Sequence, residues 1–228
     1  MISEFKGFHE ETLKFLVELK LNNSKEWFDS NRERYDKYVL EPSKAFVNDL
    51  GKRLREISPE IIAEPKVNRS LFRLNRDVRF SPNKTPYKTH IGIIIWEGPR
   101  KRMESSGFYT QIDTETIMFA GGMYLIPKDL LDSYRMIVSH EGPAKELADA
   151  VMKIEETGID VEGEHYKKIP GNHSADHDNS HFLKYNGVYG METMEIPDEF
   201  FDSELIDIAF ERFSRMEPLH RWFLKYLY

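Results

Sequence analysis

The chain has 228 residues, 40% hydrophobic and 31% charged, the profile of an ordinary globular protein with ample length for a core. It contains no cysteine, which excludes a disulfide scaffold and thiolate metal sites and fits a reducing compartment. The net charge is −7, no apolar run approaches membrane-spanning length, and the start MISEFKGFHEETLKF lacks the basic and apolar regions of a signal peptide, so a cytoplasmic protein with no membrane partner is expected.

Residues 8–21 read as an amphipathic helix, with Leu13, Leu16 and Val17 at helical spacing and Phe15 and Leu19 widening the apolar face. Asn22, Asn23 and Ser24 stop it, and Ser24 is placed to cap a second helix over 24–40 carrying Trp27, Phe28, Tyr35 and Tyr38. Pro42 is expected to break or kink that helix and open a third, whose stripe is Phe46, Leu50, Leu54 and Ile57. The texture then changes. Residues 71–74 and 78–80 look like short strand pieces. The run IGIIIW at 91–96 is the clearest strand, β-branched and continuous enough to be buried on both faces. Residues 108–112 and 116–124 suggest a hairpin around Asp113, Thr114 and Glu115, with Gly121 and Gly122 marking a bulge or a close backbone approach.

Pro127 opens another helix, which Gly142 and Pro143 separate from a second one ending near Glu156. Residues 158–172 read as a hairpin or irregular chain, and 173–190 fit neither period. From Ser203 the chain is helical, with Pro218 starting a last turn or kink. Helices, then strands, then helices indicate one α+β domain over 1–228. Its central sheet is expected to be antiparallel or mixed, with N- and C-terminal helices packed largely on one side.

Charge is concentrated in one place. Residues 66–102 hold ten Lys/Arg and two Asp/Glu, or +8, which leaves −15 on the remainder. Within RSLFRLNRDVRFSPNKTPYKTHIG the cations Arg69, Arg73, Arg76, Arg79, Lys84 and Lys88 face one acid, Asp77. An acidic chain with one basic segment argues against a general nucleic-acid binder, which needs a broad positive field. It suits a small anion. Guanidinium groups grip carboxylate or phosphate through two parallel hydrogen bonds. Arg73, Arg76 and Arg79 are the candidate grip, with Lys84, Tyr87 and Lys88 at the rim. Asp77 is placed to orient a guanidinium or to act as a base. The plainer reading is that the cations pair with the chain's own acids.

His173, His177 and His181 are four residues apart, the spacing of a divalent-metal face if the segment is helical. Gly171 and the polar neighbours suit a loop, and H-E-x-x-H is absent, so no metal or other cofactor is assigned; His177 stays a candidate acid or base. No P-loop, G-x-G-x-x-G or G-x-S-x-G occurs, and no serine has a His/Asp partner at an interpretable spacing.

Several stretches together resemble the bacterial and fungal family known as domain of unknown function 2461. They are N-N-x-x-x-W-F-x-x-N-R-x-x-Y from Asn22, R-x-N-R-D-x-R-F-S-x-x-K-x-P-Y-K from Arg73, G-F-Y-x-Q-I from Gly107, G-G-M-Y-x-x-P from Gly121, D-H at Asp176, and P-L-H-R-W from Pro218. The resemblance spans almost the whole chain. It supports the fold and the importance of the basic stretch, and adds Trp27, Asn31, Arg32 and Tyr35 as candidate neighbours of that stretch. His173 and His181 fall outside the D-H match. Three expectations follow: a binder of a small anion, a hydrolase or transferase acting on one, or a non-catalytic module that docks an acidic protein. Oligomeric state is not legible.

Overall fold

The computed structural model describes residues 3–171 and 173–228, so Asn172, at the end of the expected irregular stretch, and Met1 and Ile2, at the start of the N-terminal reading, lie outside the described residues. The fold is α+β, a five-stranded antiparallel sheet with helices at both ends of the chain. The strands are β1 (Ile91–Trp96), β2 (Gly107–Ile112), β3 (Thr116–Met123), β4 (Asp160–Glu164) and β5 (Tyr185–Glu195), in the order β1-β2-β3-β5-β4. No helix among the described residues is long and apolar enough to cross a membrane.

The chain divides into two compact units. The first comprises Met1–Ile95, Tyr109–Met118 and Thr193–Phe210. It opens with α1 (Glu10–Leu21), α2 (Lys25–Ser30), α3 (Arg32–Tyr35) and α4 (Glu41–Leu54). His9 and Thr12 close the start of α1 reciprocally: the His9 ring accepts from Glu11 N–H, and the Thr12 hydroxyl accepts from His9 N–H. Ser24 caps α2 as expected, accepting from Trp27 N–H at 3.2 Å. Pro42 does not break the chain's helical course. It sits in the first turn of α4, and the preceding Asp36–Leu40 widens into a π-turn. Proline has no N–H for the carbonyl four residues back, Tyr38 O. The buried Thr12 hydroxyl donates to that oxygen at 2.5 Å. The core of this unit is aromatic. Phe8 stacks on Phe200 at 4.9 Å, and Phe28 stacks on Tyr87 at 4.3 Å.

β1 is buried along its whole length although it is an edge strand. The chain just before it closes the edge: Phe72 N–H donates to Gly92 O, and Ile94 N–H donates to Ser70 O. The expected strand pieces at 71–74 and 78–80 are not strands; Leu71 and Asn75 make only isolated bridges, to Ile93 and Tyr87. Pro82 and Pro86 remove ladder donors here, and charged side chains fill most alternate positions.

The second unit comprises Trp96–Phe108, Phe119–Glu192 and Glu211–Tyr228. It holds α5 (Lys128–Val138), α6 (Glu141–Glu155), β4 and most of α7 (Leu205–Leu227), from Glu211 on. Phe108, Phe119, Tyr134, Leu147, Phe213 and Trp222 are buried in it. Near the C-terminal end of β3, Gly122 serves a close backbone approach, one of the two uses expected of the glycine pair. A Cβ at Gly122, where φ is +121°, would lie 2.5 Å from Val188 O. β5 was not foreseen, nor was the continuation of α7 through Pro218. β4 pairs with β5 in antiparallel register, Val161 opposite Gly190, and the register shifts at Gly163. The three histidines share no helix: residues 173–179 carry no helix or strand, and His181 lies in the 3-10 turn Ser180–Lys184.

Candidate functional site

The basic stretch is held to the N-terminal helices by two contacts to Tyr87. The Asn23 side chain imitates a strand neighbour: its Oδ1 accepts from Tyr87 N–H at 3.0 Å and its Nδ2 donates to Tyr87 O at 2.9 Å. The Tyr87 ring stacks on Phe28, which packs against Tyr35 at 5.2 Å. Burial and the nearby Asp29 push the Tyr87 hydroxyl above its ordinary pKa, and Arg32 opposes this. Tyr87 is therefore a core anchor as well as a member of the stretch. Asn23, read from sequence only as a helix stop, positions it. The polar side-chain type and the family motif beginning at Asn22 were the available signal.

The cations have different fates. Arg79 is neutralised locally. Its Nη2 lies 2.6 Å from Asp77 Oδ2, and its Nε donates to Oδ1 at 2.9 Å. That pairing holds the Asp77 carboxyl below its ordinary range, which suits an orienting group better than a base. Arg76 donates to Thr85 O at 3.2 Å and to the Thr85 hydroxyl, neutral acceptors that orient the guanidinium and leave its charge intact. Lys84 donates to Val78 O at 2.9 Å. The Lys88 ammonium sits 5.1 Å over the Phe72 ring. Arg73 is exposed, has no ion pair among the described residues, and acts on Asp77 through longer-range charge. Arg69 is paired with Glu64 at 3.1 Å.

The candidates from the helical motif are mostly occupied. Arg32 pairs with Asp36 and lies over the Phe28 and Tyr35 rings at 5.8 and 5.4 Å. Asn31 donates to Trp27 O and accepts from Arg34, which in turn holds Glu18 and Glu11. Trp27 packs on Phe15 at 5.4 Å. Tyr35 is buried, and its hydroxyl pKa is raised by that burial.

His177 belongs to the second unit, and both its ring nitrogens are buried with no hydrogen-bond partner among the described residues. His173 Nε2 lies 3.6 Å from Asp132, whereas His181 packs on the Phe182 ring at 4.2 Å. No three His, Asp or Glu among the described residues gather closely enough to hold a metal ion.

One constellation was invisible in the sequence. Ser106 Oγ lies 2.8 Å from His220 Nδ1, and Glu97 Oε2 lies 4.0 Å from His220 Nε2. The serine and histidine are 114 residues apart, a separation that carries no local signal. The order acid–histidine–serine resembles a hydrolytic triad. Ser106 is fully buried and His220 is 1% exposed, so no substrate carbonyl reaches the hydroxyl, and the pair braces the second unit. Open grooves lie elsewhere among the described residues, two of them of appreciable volume. One of about 500 Å³ is lined by Glu146, Lys153, Arg221 and Trp222; the other, of about 430 Å³, is lined by Leu13, Thr114, Glu115 and Glu195. Neither includes a residue of the basic stretch.

Fold and candidate site thus define an α+β protein with an exposed, incompletely neutralised cationic segment pinned to an aromatic core. The chain belongs to the family of conserved hypothetical proteins DUF2461, whose profile matches residues 11–222. No curated protein matches it.

Proposed function

We propose that the protein is a cytoplasmic binder of a small anionic ligand, phosphate-bearing molecules included, and that the basic stretch is its binding surface. Arg73 and Arg76 grip the anion. Lys84 and Lys88 add flanking charge, and Asp77 sets the orientation of Arg79 beside them. The observation that carries this reading is residual charge: among the described residues Arg73, Arg76 and Lys84 have no carboxylate within ion-pairing distance, in a chain whose remainder is strongly acidic. A guanidinium already oriented by Thr85 loses little further freedom when it binds an oxyanion.

Thermal-shift titration with inorganic phosphate, a nucleotide and a dicarboxylate, each against chloride at matched ionic strength, tests it. A saturable rise in melting temperature is expected for at least one of them. Arg76→Ala is expected to weaken binding about tenfold or more, roughly 1.4 kcal/mol. A response equal in the Arg76→Ala protein, or none in either, overturns the reading.

A second reading has its own observation. Phe80 is 93% exposed within the stretch, with the Arg79 guanidinium 5.7 Å from its ring. An exposed aromatic beside cations is the composition of an anchor for an acidic protein partner. That reading predicts partner capture that weakens with salt and is lost in Phe80→Ala, with the small-anion response unchanged.

A further inference from the structure

The basic stretch is built as an arm with a closed tip. Arg76 N–H donates to Pro86 O at 2.8 Å and Lys88 N–H donates to Leu74 O at 2.7 Å, on either side of the antiparallel bridge between Asn75 and Tyr87. Asn23 and the Phe28 ring pin the base of the arm through Tyr87. The tip, residues 77–85, is tied by its own bonds: Arg79 Nη2 to Asp77 at 2.6 Å, Lys84 to Val78 O at 2.9 Å, and Thr85 N–H to Asn83 Oδ1 at 2.9 Å. Such ties fix the backbone before any partner arrives, so little order is lost on contact. In this tip Phe80 is 93% exposed, the most exposed large apolar side chain among the described residues. Arg79, Asn83 and Lys84 around it are exposed as well, and residues 73–88 hold no other exposed large apolar side chain. A protein partner buries an aromatic anchor in a pocket, within a ring of further contacts that exclude water. A lone phenylalanine among cations lacks that ring. It suits a partner that closes around a single side chain, as the fluid interface of a bilayer does.

We infer that residues 73–88 dock on the surface of an anionic phospholipid bilayer, with Phe80 entering the headgroup layer and Arg73, Arg76 and Lys84 pairing with lipid phosphates. The inference rests on the reading of this stretch as an anion binder and names the source of the anion. The segment carries five Lys/Arg and one Asp, or +4. A bilayer presents many phosphates in one plane, which serves cations each held by its own neutral acceptor, Arg76 at Thr85 and Lys84 at Val78. Shallow apolar insertion combined with attraction between a polybasic segment and anionic lipid gives reversible attachment. The contact needs neither a cavity nor a spanning segment.

Co-sedimentation of the full chain with vesicles tests it, using phosphatidylcholine alone and phosphatidylcholine mixed with phosphatidylglycerol, an anionic lipid whose charge is its phosphate. Binding is expected to the mixed vesicles only, to weaken as salt rises, and to fall severalfold in Phe80→Ala and in Arg76→Ala. Phe80 is exposed, so Phe80→Ala leaves the core intact. In Phe80→Trp the added indole is expected to shift its emission to shorter wavelength on mixed vesicles, with the unmodified chain as background. Equal binding to both vesicle types, binding undiminished in Phe80→Ala, unchanged emission in Phe80→Trp, or no binding at all overturns the inference. A rise in melting temperature with inorganic phosphate but no vesicle binding overturns it and leaves the small-anion reading in place. Vesicle binding without such a rise supports it and counts against a small soluble ligand. Salt-sensitive capture of an acidic protein with no vesicle binding assigns Phe80 to that partner and likewise overturns it.

Discussion

Asp77 and Arg79 illustrate how one local pair divides the cations of the basic stretch. Two residues apart, both exposed, they bond through Nη2–Oδ2 and Nε–Oδ1, so Asp77 competes with any incoming anion for Arg79. Arg76 has a neutral partner in Thr85 and meets no such competitor. Asp77→Asn removes the competing charge and leaves Arg79 available. If the stretch binds anions, this variant binds them more tightly, the gain being small because the pair it breaks is exposed. If Asp77 were instead a general base, the same variant would abolish turnover and leave affinity nearly unchanged. Calorimetric titration of both proteins with whichever anion responds separates the two roles, and weaker binding in Asp77→Asn would count against both.

At the scale of elements, the helical run across Pro42 depends on a residue outside it. The proline leaves Tyr38 O without its backbone donor, the π-turn at Asp36–Leu40 spreads the chain there, and the Thr12 hydroxyl supplies the missing bond at 2.5 Å. Thr12→Val keeps the shape and deletes this donor, and also the acceptor for His9 N–H. A loss of about 1–3 kcal/mol is expected in urea unfolding. The proline was legible in the sequence and its consequence was not, because the rescuing hydroxyl lies 26 residues from the Tyr38 carbonyl it serves. β1 was legible because its β-branched run needs no knowledge of its neighbours. β5 was not. Its YNGVYGMETME carries glycines and acids where a strand usually shows branched residues, and its glycines answer to other elements. A Cβ at Gly187 would lie 2.1 Å from Tyr124 O, so Gly187→Ala forces β5 and the end of β3 apart and is expected to cost at least about 1–3 kcal/mol. The candidate site divides the same way. The clustering of cations could be read directly. Whether each met an acid, a carbonyl or a hydroxyl depends on a loop path that periodicity does not describe.

Across the whole molecule, two groups of titrating side chains make stability respond to pH. His90 lies inside the basic stretch. Burial, and then the charge of Lys88, lower its pKa from the ordinary 6.5, with Asp113 opposing. The unfolded chain therefore takes up this proton first. Stability falls as pH drops from 6.5 toward the lowered folded value and then levels off. The carboxylates act in a lower window. Hydrogen bonds from Lys14 and Arg34 lower Glu11, Arg34 lowers Glu18, and Arg79 lowers Asp77. Their contribution is complete above the ordinary values of 4.5 and 3.8 and is lost as pH falls through the lowered folded ones. Urea unfolding from neutral pH to about pH 3 is expected to show two separate declines. His90→Gln is expected to remove the upper decline and leave the lower one in place. Arg34→Met does the converse, blunting the lower decline with the upper intact. An upper decline that persists in His90→Gln would assign it to another histidine and dissociate the basic stretch from the first step of acid destabilisation.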